Sequence, residues 1–359
     1  MSDVTETIVR RTVELAEVPA PTGSEEERSA IVRSWWELDG LAEVRVDGAG
    51  NVWARARDGD GPIVILCAHL DTVFGADVPH TVRFDGDLLI GPSVGDDSVA
   101  VAALSAAGMA LQDGPLPVWL LATVGEEGLG NLRGVIAALD GPPSSVAAFV
   151  AVEGNYLGRV STIGVGSVRR RIRVTGPGGH AWEDAEVPSA VHHLARVVTS
   201  ITSSPRRPGT SVNVGRIGGG EGINLRAAEA WFDLDLRADD PDELEALARV
   251  IDEIARQAGP PLVVQQELLG ERPAGRIERD HPLVRAAEQA LDEVAIPVST
   301  PPTSTDANAA HARGIPAIAV GVTKGSGEHT PHEWIETGPI EIGVQTLART
   351  IERFGELST

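Results

Sequence analysis

PIVILCAHLDT, residues 62–72, joins a short apolar run to polar residues that can bind a metal ion. Residues 62–68 are typical of a strand that is buried on both faces of a sheet. His69 and Asp71 follow that run, and on an extended backbone side chains two residues apart point the same way. A neutral imidazole is a good zinc ligand, and a neighbouring carboxylate can orient its ring. Taken alone, the pair indicates an ordinary core or surface histidine more strongly than a metal site.

Strand and helix patterns alternate on both sides of this stretch, which favours a layered α/β fold. Before it, the sequence predicts a helix over residues 4–18, a second helix that starts with a capping box from Ser24 to Glu27, and one strand over residues 44–54. After it, the pattern predicts helices over 97–111, 282–293 and 339–354, with buried strands over 116–124, 146–152 and 317–322.

The middle of the chain has a different order of predicted strands and helices. It predicts strands over 168–175, 210–217, 227–237 and 262–268, with amphipathic helices over 188–201 and 241–258. This β-α-β-β-α-β order is that of a ferredoxin-like domain, which needs about 100 residues. We therefore predict a larger domain in two parts, residues 1–166 and 273–359, with residues 167–272 inserted between them.

Composition limits the classes of function. The 359 residues are 42% hydrophobic and 23% charged, as in globular proteins, and the net charge of −22 argues against nucleic acid or an anionic membrane as partner. No segment approaches the roughly 20 apolar residues of a membrane helix, and residues 1–14 lack the apolar core of a signal peptide. Cys67 is the only cysteine, so no internal disulfide can form. We therefore expect a cytoplasmic protein.

Further groups of potential ligands follow predicted strands or lie in loops. They are Asp96 with Asp97, Glu126 with Glu127, Glu153, and His329 with His332. Each group has an ordinary explanation: an N-cap, a solvated acidic turn, a lone carboxylate or loop histidines. Open α/β sheets, however, place their sites outside the carboxyl ends of the strands, where most of these groups fall. Together they provide nitrogen and oxygen donors that suit a pair of zinc ions.

These motifs, taken in order, resemble the zinc amidohydrolase and exopeptidase family of acetylornithine deacetylase, succinyl-diaminopimelate desuccinylase, carboxypeptidase G and peptidase T. The resemblance covers nearly the whole chain. It lies in an HxDxV motif at residues 69–73, a bridging-Asp motif at 95–97, an EE motif at 125–128, a further acidic ligand at Glu153 and a terminal HxxxE motif at 329–333. It implies an α/β/α di-zinc exopeptidase-type catalytic domain with an inserted ferredoxin-like α+β domain that serves as lid and dimerisation domain.

The resemblance also implies the roles of the matched residues. The two zinc ions would share five ligands: His69 and Glu153 on one, Glu127 and His329 on the other, and Asp96 bridging both. The peptide bond after Asp96 would be cis. Asp71 would orient His69, and Glu126 would be the general base toward a water whose pKa the metals lower. Cobalt or manganese could replace zinc in such a ligand set, and His332 occupies a spacer position of the terminal motif.

The inserted domain carries matches of its own. Residues 176–181 resemble the family's lid motif, in which His180 helps to stabilise the oxyanion, often across a dimer interface. Asn224 and Arg237 have the spacing of the family's substrate contacts, and a guanidinium pairs with a carboxylate through two hydrogen bonds. A structural ion pair is the other explanation for Arg237. The family also implies a homodimer formed through this domain.

Three functions are consistent with these residues. The first is an exopeptidase acting on small peptides, which the stretches at 178–182 and 304–308 favour by resemblance. The second is a deacylase of N-acyl amino acids, which would use the same metals. The third is a non-catalytic binding or assembly protein, and the joint presence of Asp71, Glu126 and all five predicted ligands argues against it.

Overall fold

In the computed structural model, which describes residues 2–111 and 114–358, helices alternate with strands. The helices are α1 (Asp3–Ala16), α2 (Glu26–Leu38), α3 (Val99–Ala110), α4 (Arg133–Asp140), α5 (Ala190–Ser203), α6 (Pro241–Ala255), α7 (Pro282–Asp292), α8 (Ala307–His311) and α9 (Ile340–Ser358). The strands are β1 (Ala42–Val46), β2 (Val52–Arg57), β3 (Ile63–His69), β4 (Arg83–Asp85), β5 (Leu88–Ile90), β6 (Val118–Thr123), β7 (Val146–Glu153), β8 (Val160–Ser161), β9 (Ile163–Gly164), β10 (Gly166–Thr175), β11 (Gly179–His180), β12 (Thr210–Gly219), β13 (Leu225–Arg226), β14 (Glu229–Ala238), β15 (Val263–Arg272), β16 (Gly275–Arg276), β17 (Ala317–Gly321), β18 (Gly325–Ser326) and β19 (Trp334–Glu336). The chain divides into two units, one up to Gly164 and from Arg276 onward, the other Val165–Gly275.

The larger unit is organised by a sheet with strand order β1-β2-β6-β3-β7-β17-β8. The central strands β6, β3, β7 and β17 are parallel, while the outer strands pair antiparallel. Every residue of β3 is buried, in agreement with the apolar run of its sequence. Because parallel strands run the same way, the ends of β6, β3 and β7 at Thr123, His69 and Glu153 lie at one end of the sheet.

Helices cover both faces of this sheet. Apolar residues of α1, α2, α3, α7 and α9 form a core with one face, and those of α4 and α8 form a core with the other. Successive side chains of β3 point into different cores. Leu66 and Ala68 belong to the first core, and Ile65 and Cys67 belong to the second. This three-layer arrangement confirms the predicted α/β/α fold class.

The helices show how the sequence pattern places them. α3 is short, rich in alanine and buried over most of its length, whereas α9 is longer and amphipathic, with its apolar residues facing the core. α4 and α8 were not predicted, because they are short and follow loops without a clear helix start. Among the residues that the structure describes, no helix combines the length and the apolar character that a membrane crossing requires.

Residues 44–54, predicted as one strand, instead form a hairpin of β1 and β2. The turn is closed by the Asp47 carboxylate, which accepts hydrogen bonds from the backbone N–H groups of Ala49, Gly50 and Asn51 and from the side chains of Asn51 and Trp53. The Asn51 amide oxygen accepts from the N–H of Val124, 3.1 Å away. The prediction of one strand is wrong because apolar alternation continues across a turn that a carboxylate stabilises.

The second helix also begins differently from its prediction. α2 starts at Glu26 and its N-cap residue is Glu25, so the capping box that starts at Ser24 is wrong. The side chain of Glu25 makes its hydrogen bonds away from the helix, with the backbone of Gly23 and Gly125. A local sequence pattern cannot anticipate a partner that lies 100 residues away along the chain.

The smaller unit contains an antiparallel sheet with strand order β12-β14-β10-β15. Helices α5 and α6 pack on one face of it and share a core with the inward side chains of the strands. Apart from the two-residue strands β11 and β13, the element order is β10-α5-β12-β14-α6-β15, which confirms the predicted ferredoxin-like arrangement. The other face carries charged pairs such as Arg171 with Asp233, 2.7 Å apart, and the guanidinium of Arg171 lies over the ring of Trp231.

We expect the substitution Asp47→Ala to lower the free energy of unfolding of the larger unit by about 2–4 kcal/mol, because it leaves several turn donors without their acceptor. Urea unfolding followed by tryptophan fluorescence measures the change, since Trp53 itself donates to Asp47. Asp60→Ala removes an exposed acid of the next loop and serves as the matched control. Equal unfolding midpoints for the two variants would contradict the role given to Asp47.

Candidate metal centre and active site

Predicted metal ligands gather at the carboxyl end of the parallel strands. His69 and Glu153 are the last residues of β3 and β7, and Glu127 follows β6. Asp96 lies in the turn before α3, and His329 lies in the loop between β18 and β19. The sheet order places β3 between β6 and β7, so residues far apart in sequence become neighbours.

Asp96 stands between the two histidines. Its Oδ1 lies 2.9 Å from Nε2 of His69, and its Oδ2 lies 3.1 Å from Nε2 of His329. The same nitrogen of His329 lies 3.0 Å from Oε1 of Glu127. A carboxylate that turns one oxygen toward each histidine has the arrangement required of a ligand shared by two cations.

The donor atoms form overlapping groups that could each hold an ion. Asp96, Glu127 and His329 form one group, while Glu153 joins His69 and Asp97 in another, with donor atoms within 4.8 Å of one another in each group. A third group combines His69 with the two glutamates at 126 and 127. The structure therefore brings all five predicted ligands together.

The ring of His69 is oriented from behind by Asp71. Its Nδ1 lies 3.0 Å from the backbone carbonyl oxygen of Asp71 and 3.6 Å from the carboxylate. A proton on Nδ1 leaves the lone pair of Nε2 free for a metal ion. The orienting contact is thus made more closely by the main chain of Asp71 than by its side chain.

The Asp71 carboxylate has other partners. It accepts hydrogen bonds from the N–H groups of Glu126 and Glu127, at 2.9 and 2.8 Å, and from the hydroxyl of Thr22 at 2.8 Å. Asp71 is fully buried, so these bonds are shielded from water. One carboxylate therefore fixes the backbone of the predicted general base and of a predicted ligand, a role that the sequence did not indicate.

Asp97 has a structural role that differs from the N-cap considered for it. Ser98 takes the N-cap place of α3, and the buried Asp97 carboxylate accepts from the N–H groups of His69 and Gly154 at 3.1 and 2.8 Å. The Asp96–Asp97 peptide bond is cis, as the family resemblance implies. Asp97 thereby joins the ends of β3 and β7. The paired acids after Gly95 were the available signal for it.

Glu333 fixes the backbone of Asp96. It is fully buried, and its Oε1 accepts from the N–H of Asp96 at 2.7 Å and from the side-chain amide of Asn155 at 3.1 Å. A side chain on Gly95 would collide with Asn155 and Glu333, so the glycine permits this close approach. His332, in the spacer of the same motif, is exposed.

Burial of the acids and their hydrogen bonds to the histidines set the electrostatics of the site. Burial raises the pKa of Glu153 to about 7 and raises the pKa of Asp97 well above its usual range. Hydrogen bonds to Asp96 and Glu127 raise the pKa of His329 to about 10. Burial opposes protonation of His69, but hydrogen bonds to Asp71 and Asp96 outweigh it and raise the pKa of the ring. Both histidine shifts favour the cationic form of the ring, and this set of nitrogen and oxygen donors fits divalent cations such as zinc.

The predicted residues of the smaller unit have their own geometry. Nδ1 of the exposed His180 accepts from the N–H groups of Trp182 and Glu183, both at 3.3 Å, which leaves the proton on Nε2. Asn224 is exposed beside the short ribbon of β11 and β13. Nε of Arg237 pairs with Asp235 at 2.9 Å, the structural ion pair considered as the alternative for this residue.

Comparisons with known proteins agree with this picture. The curated relative from Pyrococcus abyssi, which carries the provisional name LysW-lysine/LysW-ornithine hydrolase, is 36% identical over 118 residues, and the match spans 33% of this chain and 33% of that protein. The structure of a tripeptidase from Staphylococcus aureus superimposes with a TM-score of 0.81 at 20% identity, covering 98% of this chain and 99% of the other. A Bacillus subtilis protein, YXEP, described as a dinuclear metal-binding peptidase of the M20 family, gives a TM-score of 0.72 at 17% identity over 99% of each chain. These likenesses to solved structures show the fold.

The family model for peptidase family M20/M25/M40 matches residues 65–353. That range contains each of the five predicted ligands as well as Asp71 and Glu126. The matched range covers most of the chain, and its residues converge on one cluster of metal donors. The chain therefore belongs to peptidase family M20/M25/M40.

Proposed function

We propose that the chain is a dinuclear zinc hydrolase that cleaves an amide bond in a small peptide, in the manner of an exopeptidase. The observation that carries this proposal is the position of Asp96, with one carboxylate oxygen toward His69 and the other toward His329. Glu153 completes the donors on the His69 side, and Glu127 those on the His329 side. Two ions in these places would lower the pKa of a water molecule and polarise the scissile carbonyl group.

Glu126 is the proposed general base. It is 6% exposed, and its carboxylate is one of the donors grouped with His69 and Glu127. Asp71 holds its backbone N–H, so the side chain projects from a fixed main chain. Glu126 would accept the proton of the attacking water and pass it to the nitrogen of the leaving amine.

A deacylase of N-acyl amino acids is the second candidate, and it would use the same metals and the same base. One observation favours it: the relative from Pyrococcus abyssi is named for LysW-lysine and LysW-ornithine rather than for free peptides. That match spans only a third of the relative's length, so the name does not select between the two candidates. The two candidates differ in the group that the pocket must accept on the acyl side of the bond.

Residues of the smaller unit are assigned roles by proposal. We propose that residues 167–272 form a lid and dimerisation domain, that the enzyme is a homodimer, and that it acts in the cytoplasm. The Nε2–H of His180 is the donor that an oxyanion requires, and the tautomer inferred from its Nδ1 contacts supports this role. Arg237 and Asn224 would contact the substrate, with Arg237 facing a carboxylate.

We expect chelation to abolish hydrolysis and zinc to restore it, with two metal ions bound per chain in the active enzyme. His329→Ala should bind fewer ions, because it removes a donor that lies 3.1 Å from Asp96 and 3.0 Å from Glu127. His332→Ala, three residues along in the same loop, is exposed and serves as the matched control. Mass spectrometry measures the number of metal ions that each variant binds. Two ions retained in His329→Ala, or equal losses in the two variants, would exclude the proposed site.

Glu126→Gln should lower kcat by about 10²–10⁴-fold, the contribution typical of a general acid–base group. Both metal ions should remain bound, because Glu126 is not one of the five proposed ligands. Glu14→Gln, an exposed position on α1, is the control and should leave kcat unchanged. A fully active Glu126→Gln enzyme would show that another group accepts the proton.

The two candidate functions predict different substrates. The zinc-loaded enzyme should cleave free di- and tripeptides and leave the corresponding N-acetyl and N-succinyl amino acids intact. Initial rates on the matched panel, with a chelated sample as blank, provide the measurement. Cleavage of the acylated set alone would overturn the exopeptidase assignment and establish the deacylase.

A further inference from the structure

Glu25 is a buried acid at a place where acids are ordinarily solvated. It stands at the start of α2, yet it is only 2% exposed. Its Oε1 accepts from the N–H groups of Gly23 and Gly125, at 2.8 and 3.0 Å. Its Oε2 accepts from Nη2 of Arg133, 2.7 Å away. The carboxylate therefore links the segment before α2, the loop after β6 and the start of α4.

Arg133 completes the enclosure of Gly125. A Cβ on Gly125 would lie 2.6 Å from Cγ and Nε of Arg133, so the arginine stem packs directly on this glycine. The φ of Gly125 is +69°, a conformation that glycine adopts without strain. Nη1 of Arg133 donates to the carbonyl oxygen of Ala49 at 3.2 Å, which ties the guanidinium to the β1–β2 turn.

Gly125 directly precedes the proposed general base. Asp71 accepts the next two N–H groups, those of Glu126 and Glu127. Two buried carboxylates therefore accept hydrogen bonds from three consecutive backbone N–H groups. Glu25 accepts from the first of them and Asp71 from the next two. A peptide that is held at both ends cannot rotate without breaking a charge-assisted hydrogen bond.

We propose that Glu25 and Arg133 are positioning residues for the reaction, acting through the Gly125 peptide to hold the carboxylate of Glu126 in its working place. This inference rests on the proposed role of Glu126. The contacts of Glu25 and Arg133 lie with Gly23, Ala49 and Gly125, so the pair acts through the backbone. Its loss should therefore change kcat rather than KM or metal binding.

A purely stabilising ion pair would behave differently. Arg133 is 41% exposed, so water screens its pairing with Glu25, and its removal should lower the melting temperature by only about 2–4 °C. A positioning role predicts a catalytic loss out of proportion to that change, because a misplacement of about 1 Å can cost 10²-fold in rate. The ratio of the two effects separates the alternatives.

The test compares Arg133→Met with Arg33→Met in the zinc-loaded enzyme. The two arginines line the same surface cavity, and each pairs with a glutamate. The partner of Arg33 is Glu37 of its own helix, 2.8 Å away. Arg133→Met should lower kcat by about 10–100-fold, with KM within about threefold and both metals retained. Arg33→Met should match the wild type. Arg133→Lys, which keeps the charge, should recover part of the lost kcat.

A second measurement does not depend on turnover. Glu25→Ala removes the acceptor of the Gly125 N–H, so hydrogen exchange of the segment spanning residues 124–130 should become faster than in the wild type. Unchanged exchange in that segment would overturn the inference. If Glu25→Ala does not fold, exchange in Arg133→Met gives the same comparison.

The outcomes distinguish this inference from the proposed function. If Glu126→Gln is inactive while Arg133→Met keeps a kcat within twofold of Arg33→Met, the general base stands and the positioning role is overturned. If Arg133→Met loses metal together with activity, the pair supports the metal site and the inference is likewise overturned. A fully active Glu126→Gln enzyme would remove the basis of both.

Discussion

The structure depends on holding several like charges together at the end of one sheet. Two unit charges about 4 Å apart repel by roughly 4 kcal/mol at the effective dielectric of a protein, so the acids need opposing partners. Backbone N–H groups stabilise two of these acids. The loop after β6 donates to Asp71, and the ends of β3 and β7 donate to Asp97. The histidines beside Asp96 are further partners, and bound cations would supply the rest.

Sequence and structure agree where the signal is local. The apolar run of β3 and the alternation of β14 follow from the burial of one or both faces of a strand, and each lies in the predicted place. Most of the candidate donor groups could be noticed because they follow predicted strands, and the family resemblance implied which five of their residues would be ligands. The capping box at Ser24 and the single strand over 44–54 failed for different reasons. Glu25 bonds to the N–H of Gly125, which only tertiary structure brings near, whereas Asp47 closes a local turn within a stretch whose apolar alternation continues.

The inserted unit shows the same limit in its charged residues. Asp235 and Arg237 are two residues apart on β14, so the pleat places both side chains on one face and makes their pairing a local matter. Spacing alone cannot tell this pair from a guanidinium kept for a substrate. The fold class of the unit could therefore be predicted with greater certainty than the use of its arginines.

The burial of Cys67 has a practical consequence. The thiol is 1% exposed, and burial together with the neighbouring Asp306 raises its pKa well above the usual range, so it stays protonated and shielded from alkylating reagents. Since it is the only cysteine in the chain, the natural protein offers no competing site for thiol-directed labels. Two engineered surface cysteines, one on each unit, would therefore accept spectroscopic probes cleanly. The separation between the units could then be followed in solution as substrate is added.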